Sequence, residues 1–338
     1  MDTFVRRALN HANNPFRSTN TKLISGMKRC RWFFLWITLF LTTAVVNGQL
    51  TYRTLQVQYD SAWTFRNLQL IPVRYKGGDG AAAALLGERP LLFAEALLKR
   101  KIKLQEMPYK NGADLNWLTV TNHSKQHVVV QSGELVSGGK QDRMMGETKI
   151  LAPGSTNYLQ VYCIEKRRWD KKAKKFLPAG VADSELKKTM NIAKRQPEIW
   201  KEIDRQYAAG NRSGETFSYL NLYDPLRTDP AYMNYFLERY SRTDSTFAGY
   251  IFITGDKIIS TELFSSASLT DITFKNMLSS YVQSVMTAGA PPVVPVIQMK
   301  EFMDKVLISE TLQKAYIAAH GKMHFNEGRL IHLIAYPE

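Results

Sequence analysis

VVVQSGELVSGGKQDRMMGETKILAPGSTNYLQVYCIEKRRWD, residues 128–170, is the stretch whose reading decides the fold. Residues 127–136 and 158–165 are short, apolar and rich in β-branched or aromatic side chains, as strands are. Between them the run Ser137-Gly138-Gly139 is a turn signal. Strands this short, punctuated by glycine, suit antiparallel neighbours.

Upstream, Leu68, Leu70 and Val73 alternate with polar neighbours in residues 67–75, and glycines at 77–80 mark a turn. Residues 91–101 have helical spacing and a cationic end. Residues 102–107 and 115–122 read as further strands. After Asp170 the pattern changes to helices. Asp183 can cap one that carries Leu186 and Met190. Pro197 opens a second, with Trp200, Ile203 and Tyr207 on one face and Gly210 as its stop. Asp229-Pro230 opens a third, with Met233, Phe236, Leu237 and Tyr240 inward.

Residues 250–264 then form a hairpin about Gly255-Asp256. Phe274, Met277, Leu278, Tyr281 and Val285 form a long helix, with Thr270 as N-cap and a Leu269–Phe274 staple. Residues 289–295 are a stiff connector, and residues 322–336 a closing hairpin. Strands, then helices, then hairpins imply an α+β fold with mainly antiparallel sheet and several packed helices. The organisation expected is an N-terminal extension over 1–48 and an α+β body over 49–338, as one domain or as subdomains 49–176 and 177–338.

The chain has 338 residues, 44% of them hydrophobic, and a formal net charge of +15. Residues 1–48 carry seven cations against Asp2 alone, which leaves nine of the fifteen positive charges for a moderately basic body. The uncharged run at 32–46 follows Lys28, Arg29 and Arg31. It is shorter than the roughly 20 apolar residues of a spanning helix and fits a signal peptide, cut after Gly48, with Met27 as the start. The rival reading is an uncleaved membrane anchor. Both place the body outside the cytoplasm, periplasmic or secreted. Cys30 and Cys163 are the only cysteines, so an exported body would hold no internal disulfide.

The central stretch also gathers polar chemistry. Glycine permits positive φ, and a turn of backbone N–H groups beside cations can hold an anion. Gly138, Gly139, Lys140, Gln141, Arg143, Arg168 and Trp169 are therefore candidate ligand-binding residues, with Glu134 and Glu165 as candidate catalytic carboxylates. Guanidiniums, carboxylates and an aromatic suit a phosphate-bearing, ring-containing ligand. The opposing reading is a hairpin locked by buried hydrogen bonds, with Glu134 and Arg143 paired for structure. A catalytic carboxylate would line a cleft with a raised pKa, whereas a structural one would be ion-paired.

Cys163 shares strand parity with Leu159 and Val161, as a core residue does. Symmetric pairing of the last hairpin about Glu327 sets His332 opposite Lys322 and diagonal to His324, and two histidines fall short of a zinc site. Residues 166–175 are a cationic run, able to attract acidic glycans or lipid phosphates without reading nucleic acid. No phosphate-binding loop, dinucleotide fingerprint or metalloprotease motif is present, and no cofactor or metal is expected.

GELVSGGKQDR followed by LAPGSTNYLQVYCIEKRRWD resembles the signature of the ARG-and-rhodanese-phosphatase-superfamily-associated protein domain family. The likeness continues through LLFAEALLKRKIKLQEM, LTVTNHS and AGYIFITGDKIISTELF, and so covers most of residues 55–335. Arg167 departs from the glycine usual before Arg-Trp, which weakens the case for a tight turn there. The resemblance implies an uncharacterised domain found beside ADP-ribosylglycohydrolase-like and phosphatase-like partners.

Two functions follow. One is an exported cell-envelope binding or structural module with an anion-binding cleft, its partner a small anionic ligand or an envelope glycan. The other is an exported hydrolase of phosphate- or ADP-ribose-like substrates, using a glutamate as acid/base.

Overall fold

Strand β13 (Phe247–Thr254) is buried at seven of its eight positions, so apolar layers must cover both of its faces. It runs through a seven-stranded antiparallel sheet ordered β1 (Leu55–Val57), β3 (Leu68–Tyr75), β13, β14 (Lys257–Phe264), β16 (Arg329–Ala335), β15 (Gly321–Asn326), with β2 (Trp63–Phe65) also on β3. Period-two alternation divides its side chains. Ile251 and Ile253 face a layer containing α6 (Val296–Leu307) and α7 (Glu310–His320). Tyr250 and Phe252 face α4 (Pro230–Ser241) and α5 (Ala267–Ala288). Each such apolar side chain, once fully buried, stabilises by roughly 1.5–3 kcal/mol relative to exposure. Cys163 is buried and unpaired.

This computed structural model describes residues 50–77, 86, 90–107, 116–168, 174–212, 216–222, 229–241 and 246–338. Residues 1–48, the turn glycines 78 and 80, Trp169, Lys171 and Lys172 lie outside the described residues.

A six-stranded antiparallel sheet follows the order β12 (Lys174–Val181), β8 (Glu134–Gly139), β9 (Arg143–Met145), β11 (Thr156–Cys163), β6 (Trp117–Asn122), β5 (Ile102–Glu106). Beside it, β10 (Lys149–Leu151), β7 (Val128–Val130) and β4 (Leu91–Leu92) form a three-stranded sheet in which β4 and β7 are parallel. The short helix α1 (Phe93–Leu98) packs on the strand core with Phe93, Ala96 and Leu97. Helices α2 (Ser184–Ala193) and α3 (Gln196–Ala209) cover Leu135, Met144, Tyr162 and Ile164. The fold is α+β, with seven α-helices among the described residues and sheets that are mostly antiparallel.

Several expectations need correction. Residues 127–136 are not one strand, because Gly133 takes φ +92° and turns the chain between β7 and β8. The N-cap of α5 is Ser266, whose hydroxyl accepts from the Leu269 N–H at 3.2 Å, and Thr270 lies inside the helix. The expected helix at 91–101 shortens to α1 behind the two residues of β4. In α3 the buried face is Ile199, Ile203 and Tyr207, with Trp200 only half-buried. In the last hairpin, Glu327 and Gly328 both adopt positive φ and close a two-residue turn. An irregularity then sets His324 directly opposite His332.

Asp183 does cap α2, accepting from the Leu186 N–H at 2.8 Å. Asp229 accepts from the Ala231 N–H at 2.8 Å at the start of α4. The β13–β14 hairpin turns at Gly255-Asp256. No helix among the described residues is long and apolar enough to cross a membrane.

Candidate functional site

Strand β8 ends in a tight turn that β9 leaves. At Gly139, with φ +57°, an added Cβ would come within 2.3 Å of the Phe176 ring and 2.6 Å of Glu106 Oε1, so only glycine fits. The backbone N–H groups of this turn do point at carboxylates, but at the chain's own. Gly138 N donates to Asp142 Oδ1 at 3.0 Å, and Lys140 N donates to Glu106 Oε1 at 2.8 Å.

Arg168 reaches back over the same turn. Its guanidinium meets Glu165 Oε2 at 2.7 Å and Asp142 Oδ1 at 2.9 Å, and it donates to the Gly138 carbonyl at 3.3 Å. Asp142 Oδ2 also accepts from Ser218 Oγ at 2.9 Å. Arg143, fully buried at 0% exposure, lies 3.6 Å from Glu106 and 3.3 Å from Gln141 Oε1. Gln141 Nε2 closes the set by donating to the Glu165 carbonyl at 2.8 Å. Gly138, Gly139, Lys140, Gln141, Arg143, Glu165 and Arg168 are thus gathered in one place, as an ion-pair node.

Three of its members were not singled out from the sequence. Asp142 sits inside the quoted motif, where the alternation of Gln141, Asp142 and Arg143 gave no preference. Glu106 and Ser218 arrive from distant segments, and nothing local marks them.

Glu134 takes no part in that node. Its Oε2 accepts from the Gln131 N–H at 2.7 Å and its Oε1 from Asn276 of α5 at 3.2 Å. It is 2% exposed, and burial pushes its carboxyl up to about 8 against those two hydrogen bonds. Glu165, by contrast, is held in an ion pair with Arg168. The Glu134–Arg143 pair of the opposing reading does not occur, since Arg143 lies 3.6 Å from Glu106 instead.

Burial raises the Cys163 thiol pKa, and Gln196 of α3 brackets its backbone at both N and O, each at 2.8 Å. These are the surroundings of an inert core cysteine. Arg167 has no positive φ, and its guanidinium lies 4.5 Å over the Phe217 ring.

A second buried polar chain was not anticipated. Lys187 of α2 donates to Glu262 Oε1 at 2.6 Å, and Tyr281 donates to the same oxygen at 2.5 Å. Glu262 Oε2 lies 3.2 Å from His332 Nε2, and His332 Nδ1 lies 2.9 Å from Thr148 Oγ1. Burial alone would raise the Glu262 carboxyl, but Lys187 and His332 outweigh it and hold it at about 2. Burial lowers both His332, against the pull of Glu262, and His324, and the two rings stack with centroids 5.0 Å apart.

The order Thr148–His332–Glu262 copies the connectivity of a nucleophile–base–carboxylate relay. However, Thr148 Oγ1 already accepts the Ser132 N–H at 3.1 Å, and all three side chains are buried. The backbone N–H of Thr148 occupies His324 Nδ1 at 3.1 Å. Among the described residues no group of three or more His, Cys, Asp or Glu side chains could hold a metal.

Open space lies elsewhere. A groove of about 540 Å³ is lined by Gln58, Ser61, Trp63, Pro72, Arg74, Tyr235, Glu238, Arg239 and Phe247. The Arg74 guanidinium stacks 4.4 Å over the Phe247 ring and donates to Thr246 Oγ1 at 2.9 Å, with no carboxylate paired to it among the described residues. Trp63 and Phe247 form the floor, and half-buried Tyr235 forms a wall. A second hollow of about 410 Å³ lies among α2, α7, β11 and β15.

No curated protein and no solved structure matches this chain. One family model does, across residues 56–336, a span that holds the ion-pair node, the buried relay and both hollows. The chain belongs to the family of the ARG and Rhodanese-Phosphatase-superfamily-associated Protein domain.

Proposed function

We propose that this domain is a non-catalytic binding module, exported to the cell envelope, and that it takes a ring-bearing anion in the Arg74 groove. The observation that carries this reading is Arg74 itself. Its guanidinium lies 4.4 Å over the Phe247 ring, has no carboxylate paired to it among the described residues, and lines a groove of about 540 Å³. That volume falls within the roughly 300–1,000 Å³ of small-molecule sites. A phosphate or carboxylate would meet Arg74 and Arg239. A sugar or base ring would lie against Tyr235, and Glu238 would accept from ring hydroxyls.

This reading moves the anion site away from the glycine turn, whose N–H groups are already used by Asp142 and Glu106. It is favoured over a hydrolase because Glu165 is neutralised by Arg168 and Glu134 has no route to a substrate. Export rests on the cationic residues 28–31 ahead of the apolar run at 32–46.

Calorimetric titration of the purified protein with ADP-ribose and with an acidic oligosaccharide tests the proposal. At least one is expected to bind saturably, and Arg74→Ala is expected to weaken it at least tenfold, as loss of a charged hydrogen bond of about 1.5–3 kcal/mol implies. Binding unchanged in Arg74→Ala would remove the groove as the site.

A further inference from the structure

The hollow of about 410 Å³ has a lining unlike that of the Arg74 groove. Gln160 comes from β11, Lys194 from the end of α2, Lys314, Ile317 and Ala318 from α7, and Gly321, Lys322 and Met323 from β15. Three lysines therefore line one concavity, and no carboxylate among the described residues lines it.

Each lysine is committed to that position by something local. Lys194 is the left-handed C-cap of α2, with φ +55°, and its backbone N–H closes on the Met190 carbonyl at 3.2 Å. Lys314 reaches the nearest acid, Glu310 on its own helix, only at 3.9 Å. Lys322 is half-buried and held by two neutral oxygens, the Gly146 carbonyl at 2.8 Å and Gln160 Oε1 at 3.3 Å. Like charges gathered over neutral acceptors repel one another, and a bound oxyanion would relieve that repulsion. Ile317, Ala318 and Met323 add an apolar wall, so the space suits an oxyanion that carries a small organic body.

We propose that this hollow is a second ligand site, specific for a phosphate monoester, with Lys194, Lys314 and Lys322 holding the phosphoryl oxygens and the Ile317–Met323 wall taking the organic group. It is independent of the Arg74 groove, with which it shares no residue.

A pH signature distinguishes this site from general attraction to a basic surface. Burial first, then the nearby Lys194 charge, lowers Lys322 to about 8, against the pull of Glu147. The charges acting on it are Lys194 from α2 and Glu147, whose carboxylate lies 3.7 Å from Lys149; Lys314 of α7 lines the same hollow, and His324 of β15 is near enough to feel the Lys322 charge. A phosphate dianion bound beside Lys322 favours its charged form, so above pH 8 binding must take up a proton. By linkage the affinity then falls as pH rises, approaching tenfold per pH unit.

Butyl phosphate, which lacks the ring that the Arg74 groove takes, is the probe, titrated calorimetrically into the full protein at constant ionic strength. Saturable binding is expected at pH 7.5, weakening about tenfold by pH 9, a range in which the free phosphate is mostly a dianion. Lys322→Met is expected to weaken binding at pH 7.5 and abolish its pH dependence. Lys194→Met/Lys314→Met, at two exposed positions, should weaken it at least tenfold and move the pH dependence to higher pH, because the Lys194 charge no longer lowers Lys322. Arg74→Ala should leave both unchanged. Absence of saturable binding overturns the proposal, as does affinity that is unchanged in Lys194→Met/Lys314→Met or lost in Arg74→Ala.

Discussion

Lys187→Met is expected to lower the free energy of unfolding by about 3–5 kcal/mol, read from urea melts at pH 7. Lys187 and Glu262 are both buried, at 3% and 0% side-chain exposure, and lie 2.6 Å apart. Removing the ammonium leaves a fully buried carboxylate with only His332 and Tyr281 to hold it. Glu262→Gln in the same chain removes the stranded charge, so the double variant should recover most of the loss. The sign with pH is fixed as well. A carboxyl held at about 2 adds stability above the ordinary carboxylate range, and that stability is lost as pH falls toward 2. A double variant no more stable than Lys187→Met would mean that the pair is not coupled as described.

Glu134 should behave in the opposite way. Burial raises its folded carboxyl from the ordinary 4.5 to about 8, so between those limits the folded state binds a proton that the unfolded state has released. Stability therefore falls as pH rises through that window, by roughly 1 kcal/mol per pH unit from this group. Glu134→Gln cannot ionise, and the Asn276 amide can turn to accept from the new donor. Expected is a variant less pH-sensitive than the parent and more stable than it at pH 8, by thermal or urea melts. Comparing the two proteins separates Glu134 from His324 and His332, whose burial-lowered pKa values act in the reverse direction. Parallel stability curves from pH 5 to 8 would show that Glu134 is charged throughout.

Most turns and caps that rest on local chemistry were legible in the sequence, the Ser266 cap of α5 excepted. Asp183, Asp229-Pro230 and the Gly255-Asp256 turn each act within three residues, and the structure uses them so. Elements whose signal comes from packing were missed. Strand β12 reads KKFLPAGV, with exposed lysines and Pro178 inside it; it is an edge strand that pairs only with β8, with two register shifts. Helices α6 and α7 follow a proline-rich connector, and their apolar faces are explained only by the sheet they cover.

The site divides along the same line. That the glycine turn would hold an anion was readable from Gly138 and Gly139. That the anions are Asp142 and Glu106 was not, because Glu106 lies 34 residues from Lys140 in the chain. Nor could alternation reveal the Arg74 groove, which is assembled from β2, β3, α4 and β13. Periodicity says which face a residue shares; it does not say which distant segment stands across from it.

The central claim is that the glycine turn and its arginines are an internal ion-pair node and not a ligand cleft. Arg168→Ala, measured by urea unfolding and by ADP-ribose titration on the same preparation, tests it most directly. The node predicts a loss of about 2–4 kcal/mol of stability, because Glu165 and Asp142 lose their shared cation, while any affinity for ADP-ribose below the unfolding transition stays as in the parent. Unchanged stability together with abolished binding would contradict it, and would return the ligand to the turn.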